Sequence, residues 1–450
     1  MERNGGERMW SAGYDGGRFN RPIVQVEEAQ RRVIAAAEAG TASELVPLAE
    51  AGGRRLALPL AATSDWPPFA RSGLDGYAVR AADTALASPD APATLRVLDA
   101  VAAGGLARAA VEPGGAVRIM TGAALPEGAD AVVMLEQTAE ASLAGGEAAV
   151  RIKAAARPGQ NVAPQGEEFR LGSPLAEPGT FIRPGHIALL GAFGYAEVPV
   201  YRRPRVAVFA TGGELLPVGA PLEPGRIRDS NSCMIAALAE QCGAEAALRG
   251  SLPDEPGAVA AAIAGAVRDA DLIVTTGGVS VGDYDAIAYL LRHLDRYFPN
   301  GEEELGRPSH VLFNRVAMRP GSPTSAAVVG GKLLLSLSGN PGACFVGFEL
   351  FARPALLRLQ GAARPLPKLV KARLVSDIGK GSPHRRFIRC RLHQDEDGLI
   401  AADPLAFAKS SMMASIAEAD GLAVIPSGSR GAAAGERIDV LLLPGFHERQ

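Results

Sequence analysis

Cysteine is scarce in this 450-residue chain: Cys233, Cys242, Cys344 and Cys390 are the whole set, and none belongs to a CxxC pair. The histidines do not cluster beside them, so neither a zinc site nor a disulfide framework is offered, and the thiols read as reduced. Long hydrophobic runs are missing too. No stretch approaches the roughly 18 apolar residues of a membrane-spanning helix. Met1 to Asn20, rich in Gly and Arg, has no apolar core of a secretory signal. The expected setting is the cytoplasm, with no membrane partner. Excess charge of one sign is also absent: a formal net charge of -3 supplies no uniform basic field, which argues against nucleic acid as a ligand. No internal repeat of fixed period appears.

What is present is an ordinary globular composition, 47% hydrophobic and 21% charged. Its length suggests about three folding units at about 150 residues each. Residues 1–20 carry no periodic apolar pattern and read as a flexible tail. VEEAQRRVIAAAEA, from Val26, places Val26, Ala29, Val33 and Ile34 on one side of a helix. From Ala93 to about Ile152, β-branched residues alternate with turn signals such as Pro113-Gly114-Gly115 and Gly145-Gly146, which predicts an antiparallel β module inserted into another domain. After Arg202-Arg203-Pro204 the pattern becomes strand, loop, helix, repeated. RVAVFA (205–210) leads through Thr211-Gly212-Gly213 to a helix over 231–243. DLIVTT (271–276), preceded by a helix near 256–267, leads through Gly277–Gly282 to a helix over 286–294. LLLSL leads through Ser-Gly-Asn-Pro to a third helix. Such alternation predicts a largely parallel sheet with its ligand site at the carboxyl ends of the strands, where all three loops meet. Beyond the Pro-rich 362–368 break, short strands with Gly-rich turns fit a small barrel or sandwich.

The chemistry-bearing residues concentrate in those loops. In TTGGVSVGDYDA (275–286), Gly277, Gly278, Ser280 and Gly282 form a turn whose amides, with the following helix N-terminus, suit a phosphate or pyrophosphate. Asp283 and Asp285 follow, placed to hold a hydrated Mg²⁺; a tight turn capped by Asp283 accounts for the same residues. In ALRGSLPDEPG (247–257), Asp254 sits in a loop after a predicted strand and could add a third carboxylate at that sheet edge; an ordinary turn role is the alternative. Arg315 and Arg319 lie four apart in FNRVAMRPGSP, which alternation in an extended segment would put on one face, and guanidinium forks match tetrahedral oxyanions. Ser338, Gly339, Asn340 and Pro341 lead into a helix whose free amides suit a second phosphate or a ring edge; capping by Asn340 is the alternative. Upstream, Ser72, Asp75 and Tyr77 in WPPFARSGLDGYAVR, and Thr121, Asp130 and Glu136 in RIMTGAALPEGADAVVMLE, are dense in polar and turn residues; local chemistry alone favours a structural role for them.

Taken in order, PPFARSGLDGYAVR, RIMTGAALPEGADAVV, ATGGEL, GGVSVGDYD, MRPGSP, SGNP and AEADGLAVIPSG resemble the bacterial molybdopterin molybdenumtransferases and the similar gephyrin E domain, from about Pro22 to Pro444. GGVSVG with its Asp is shared with molybdopterin adenylyltransferases; DGYAV, MTGA and the C-terminal barrel separate the two. The resemblance implies an α/β multidomain fold. Its parts are a segmented α+β linker domain (21–62 plus 168–202), an inserted β-rich domain (63–167), a central molybdopterin-binding α/β domain with a mostly parallel sheet (203–361) and a C-terminal β-barrel (362–450). It further implies a homodimer that inserts molybdenum from molybdate into adenylylated molybdopterin with Mg²⁺, releasing AMP, and contacts with an adenylyltransferase and with acceptor molybdoenzymes. By motif match Asp285, with Asp283, would be the Mg²⁺ carboxylate, Asp254 a further acid, and Arg315 and Arg319 anion binders. Glu214 is the carboxylate carried over from the Thr-Gly loop. Asp75 and Thr121 would reach a partner's cleft, and Arg385 or Arg386 with Ser410 or Ser411 would complete an oxyanion site from the barrel. The chain also departs from the pattern. Many relatives carry Lys at 315, 319 and 322, where this chain has Arg315, Arg319 and Ser322, and Gly342 and Ala343 replace the common Val-Ser after Asn-Pro. An adenylyltransferase and a non-catalytic carrier of the cofactor are the competing readings.

Overall fold

Between Arg205 and Leu337 the short apolar runs become strands because both of their faces are covered. The computed structural model describes residues 22–38, 42–253, 255–279, 286–299, 307–379, 381–406 and 409–445. Its central sheet has the spatial order Glu245–Leu252, Arg205–Thr211, Leu272–Thr276, Lys332–Leu337, Ser325–Val329, His310–Phe313, with the first four parallel and the last two antiparallel. Val206, Val208, Leu272, Val274, Leu333 and Leu335 face one core, shared with the helix Asn231–Gln241 and the continuous helical stretch 341–359. Ala207, Phe209, Ile273 and Leu334 face the other, under the helices Pro256–Val267 and Ala286–Arg292. A parallel strand buried on both sides has no polar face to show, so period-two alternation is missing from these runs.

The helix Val26–Ala36 buries Val26, Ala29 and Val33, and Ala37 just beyond it continues the stripe, whereas Ile34 is half-buried. Although it precedes the 43–62 segment in sequence, it packs on the Arg353–Leu359 stretch of the central unit, whose apolar side completes its stripe. Strands Ser43–Pro47 and Glu197–Tyr201 pair antiparallel, and with the helix Pro184–Ala192 they enclose a separate small core around Leu56, Ile182, Leu190 and Val198.

The β-rich unit is a mixed sheet rather than the antiparallel module that its turn signals predict. Its order is Ala131–Met134, Gly76–Val79, Gly115–Ile119, Ala93–Val101, Ala148–Ile152, Thr138–Ser142, and Ala93–Val101 runs parallel to Gly115–Ile119. The 102–114 connection is long enough, at about a dozen residues, to cross over instead of turning back. Gly76–Val79, from the polar-looking upstream segment, is fully buried in this sheet. Gly76 is required there: a Cβ would stand 2.0 Å from the Val133 carbonyl oxygen.

In the C-terminal part, strands Arg385–Gln394, Ile400–Pro404, Leu369–Leu374, Arg437–Leu442 and Gly421–Ile425 close into a barrel, because the last pairs back on the first. Met318–Arg319, from the central unit, attaches to this barrel parallel to Arg385–Arg386. That short pairing sets the barrel against the carboxyl ends of the central strands. No helix among the described residues is long and apolar enough to cross a membrane.

Candidate active site

Three parallel strands end side by side at Thr211, Thr276 and Leu337, and the loops that leave them converge. Gly277 has φ +87°, and a Cβ on it would lie 2.4 Å from the Thr211 carbonyl oxygen; its amide donates to the Leu337 carbonyl at 3.0 Å. Glycine is therefore the residue that lets neighbouring strand ends approach. Gly339 packs on Gly277, and its carbonyl accepts from Asn231 Nδ2 at 2.8 Å. Opposite these loops stand Arg386–Ile388 and Lys409–Ser411 of the barrel, enclosing an open cleft of about 1500 Å³.

Among the described residues, arginine and lysine outnumber the carboxylates of this cleft. Its described lining carries Arg228, Arg319, Arg386 and Lys409 against the carboxylates Glu214 and Asp229. The register of the short parallel pairing sets Arg319 beside Arg386. Burial, and then the charge of Arg319, hold Arg386 below the usual guanidinium range. His384 is likewise held below the ordinary imidazole range, by burial first and then by Arg319 and Arg315. Cations that raise one another's energy are stabilised by an incoming anion, and guanidinium groups suit tetrahedral oxyanions.

Of the residues singled out from sequence, Glu214, Gly277, Gly278, Arg319, Ser322, Ser338, Gly339, Asn340, Pro341, Arg386 and Ser410 all line this cleft. Some act differently from expectation. Ser322 Oγ donates to the Val316 carbonyl at 2.8 Å, bracing the turn. Asn340 is the N-cap of its helix but makes no side-chain capping bond. Arg315 does not line the cleft. The segment kinks between a bridge at Val316 and the barrel pairing at Met318, so strict alternation does not carry the two arginines onto one face. Arg315 still stands near enough to bear on His384. Arg385 turns away to a salt bridge with Glu27, which leaves Arg386 as the barrel arginine of the cleft. Asp75 and Thr121 sit in the β-rich unit, outside the lining of their own chain's cleft. Asp75 Oδ1 accepts from both the amide and the hydroxyl of Thr121, at 2.7 Å each, and these bonds hold the carboxyl below its ordinary range. Asp254, Ser280, Gly282, Asp283 and Asp285 lie outside the described residues.

Residues 24–194 match the MoeA N-terminal region (domain I and II), 207–358 a probable molybdopterin binding domain, and 371–443 the MoeA C-terminal region (domain IV). The chain is 43% identical to the molybdopterin molybdenumtransferase of Bacillus subtilis (strain 168), over 94% of this chain and 95% of that one. It is 40% identical to that of Staphylococcus aureus (strain COL), over 93% and 95%. The chain belongs to the molybdopterin molybdenumtransferase family. The crystal structure of a molybdopterin biosynthesis moeA protein from Pyrococcus horikoshii superposes with a TM-score of 0.77 at 32% identity, covering 94% of this chain and 99% of that one.

In this family member several cleft residues had no sequence signal of their own. Arg228, Asp229 and Asn231 lie in RIRDSNS, which reads as a plain helix approach; Asp229 Oδ1 accepts from the Ser232 amide at 3.1 Å, and Asn231 Oδ1 is buried with no partner among the described residues. Lys409 lies in a stretch with no pattern. The Pro-Gly-Ser-Pro turn after Arg319 was the one available hint that this strand leaves the central sheet.

Proposed function

We propose that this chain, whose relatives are named for transferring molybdenum to molybdopterin, takes the metal from molybdate and the pterin in adenylylated form, releasing AMP. The observation that carries the reading is the meeting, in one cleft, of a glycine-lined strand-end crevice with the adjacent Arg319 and Arg386. The crevice suits the phosphates and the planar part of an adenylylated pterin, and its volume exceeds the usual range of about 300–1000 Å³ for small-molecule sites, as a two-part substrate with an added oxyanion requires. The Gly277 amide is taken by the Leu337 carbonyl, so the Gly278 amide is the strand-end donor proposed for a phosphate oxygen. Arg319 and Arg386 are placed to bind and orient the oxyanion, and Lys409 adds charge at the same wall.

Mg²⁺ fits the donor chemistry. The ion takes one or two carboxylates along with substrate phosphates and waters, and Glu214 and Asp229 are carboxylates of the cleft, to which the family pattern adds Asp283 and Asp285. When bound, it offsets the negative charge that repels attack on a phosphate linkage. Glu214 folds back over Gly212, where its carboxylate would meet a Cβ at 2.5 Å, and it stands exposed at the rim of the crevice.

The proposal extends to assembly. A homodimer would give Asp75 and Thr121, paired and exposed in the β-rich unit, a partner's cleft to complete. An adenylyltransferase as donor and molybdoenzymes as acceptors are the partners this chemistry calls for. The test is incubation with adenylylated molybdopterin, Mg²⁺ and either molybdate or tungstate, following AMP and metal-bound pterin. AMP release that depends on the oxyanion is expected. ATP consumption with no response to molybdate would establish an adenylyltransferase instead, and cofactor binding without any turnover would establish a carrier.

A further inference from the structure

Arg389 is among the largest fully buried side chains, 1% exposed, yet its guanidinium meets no carboxylate among the described residues. Nε donates to Ser415 Oγ at 2.8 Å, and Nη2 to the carbonyls of Lys409 at 2.9 Å and Met412 at 3.4 Å. These three acceptors bracket the 409–413 loop, which contributes Lys409, Ser410, Ser411 and Met413 to the cleft. A buried cation held by neutral acceptors fixes the geometry of whatever supplies them, because each lost bond leaves charge without compensation.

The other side of the guanidinium explains a glycine. Gly342 lies inside the helix Pro341–Gly347 and is absent from the residues of positive φ, so its backbone does not require glycine. Glycine also disfavours a helix relative to alanine. Space is the remaining cause: a Cβ at 342 would stand 2.3 Å from Arg389 Nη1 and 2.9 Å from its Cζ. The side chain is flexible in principle, but here it is buried and tied at three acceptors, so it could yield only by giving those bonds up. The Gly342 amide in turn donates to the Ser410 carbonyl at 2.8 Å, tying the loop directly to the central unit.

We propose that Arg389 is a positioning residue that, seated in the space left by Gly342, sets where Lys409, Ser410 and Ser411 stand in the cleft, and so sets its affinity for the oxyanion rather than for the pterin. The inference rests on the function proposed above for the cleft, but its first test does not. Trypsin is added to the native full chain, and cleavage after Lys409 is followed by mass spectrometry. Arg389→Met and Gly342→Val should each speed that cleavage about tenfold or more over wild type, whereas Arg389→Lys, which retains a donor, should fall between. A second measurement follows oxyanion-dependent AMP release and, separately, binding of adenylylated pterin. Gly342→Val should raise the molybdate concentration for half-maximal release about tenfold, with pterin binding kept within about twofold. Gly342→Ala, the mildest change, should move both readouts in the same direction should the valine variant fail to fold. Unchanged proteolysis in Gly342→Ala and Arg389→Met would overturn the clamp. Faster proteolysis with an unchanged molybdate requirement would overturn the link to the oxyanion. A wild-type chain insensitive to molybdate would instead defeat the reading of the cleft and leave the clamp standing on proteolysis alone.

Discussion

Arg319 and Arg386 owe their adjacency to a pairing of two residues, and each guanidinium stands where the charge of the other is felt. Removing one should therefore weaken the hold on an oxyanion without disturbing the pterin crevice. Arg319→Ala is expected to lose a charge-assisted contact of about 1.5–3 kcal/mol, or about ten- to a hundredfold in oxyanion affinity. Arg319→Lys, with a point charge in place of a fork, should recover part of that loss. The molybdate concentration for half-maximal AMP release measures both. Asp285 calls for a different outcome. Replacement by Asn keeps size and most hydrogen bonding but removes the charge proposed to recruit a divalent ion, so Asp285→Asn should bind adenylylated pterin within about tenfold of wild type, an allowance of about 1.4 kcal/mol. It should release little AMP. Wild-type release would refute the metal role, and loss of pterin binding would move Asp285 into substrate recognition. Residues of the described loops that follow the predicted parallel strands were legible in the sequence. Gly277, Gly278 and the Ser-Gly-Asn-Pro loop are in the cleft because strand ends of one parallel sheet share an edge. Lys409 and His384 were not legible, because their relevance comes from a barrel docked on that edge.

The helical stretch from Pro341 to Leu359 starts at the cleft and contains a π-turn over Phe348–Ala352. Beside this turn Arg353 makes a bidentate pair with Glu349, at 2.6 and 2.7 Å, and both side chains are buried. The remaining donors of Arg353 reach Cys242 Sγ and Gln241 Oε1, each at 3.0 Å, which joins this element to the end of the helix Asn231–Gln241. Breaking a buried pair strands an uncompensated charge, so Glu349→Ala should cost about 3–5 kcal/mol. Calorimetry of the full chain should show the lowest thermal transition moving down. An unshifted transition would mean that Arg353 is adequately served by Cys242 and Gln241 alone. The i,i+4 spacing of Glu349 and Arg353 is readable in the sequence as a helical pair, but its burial is not, since exposed pairs share that spacing and contribute far less.

For the whole molecule, the decisive question is why Asp75 and Thr121 are so carefully paired on a unit that does not border the cleft of its own chain. If a second subunit brings them to that cleft, two variants defective at different places should complement each other. Arg319→Ala and Asp75→Ala chains, each weak alone, should regain activity when subunits are exchanged by mild denaturation and refolding together, because some mixed dimers carry one intact site. A mixture no more active than its components would show that each chain works alone, and light scattering should report a dimer at micromolar concentration in the first case.

The local elements and the chemistry of the loops follow from the amino-acid order alone. Apolar runs of strand length, Gly-rich turns and helix starts are set by near neighbours, and the runs at 205–211, 272–276 and 332–337 form parallel strands in the positions that their patterns predict. Three other matters depend on long-range packing. The β-rich sheet is mixed, because a crossover and a hairpin differ in where the chain goes and not in which residues it contains. The helix Val26–Ala36 packs on the far end of the central unit, because an apolar stripe does not name its partner. Arg386 rather than Arg385 faces the cleft, and Gly342 makes room for Arg389, because both depend on the register at which the barrel meets the sheet, and register is fixed by long-range packing.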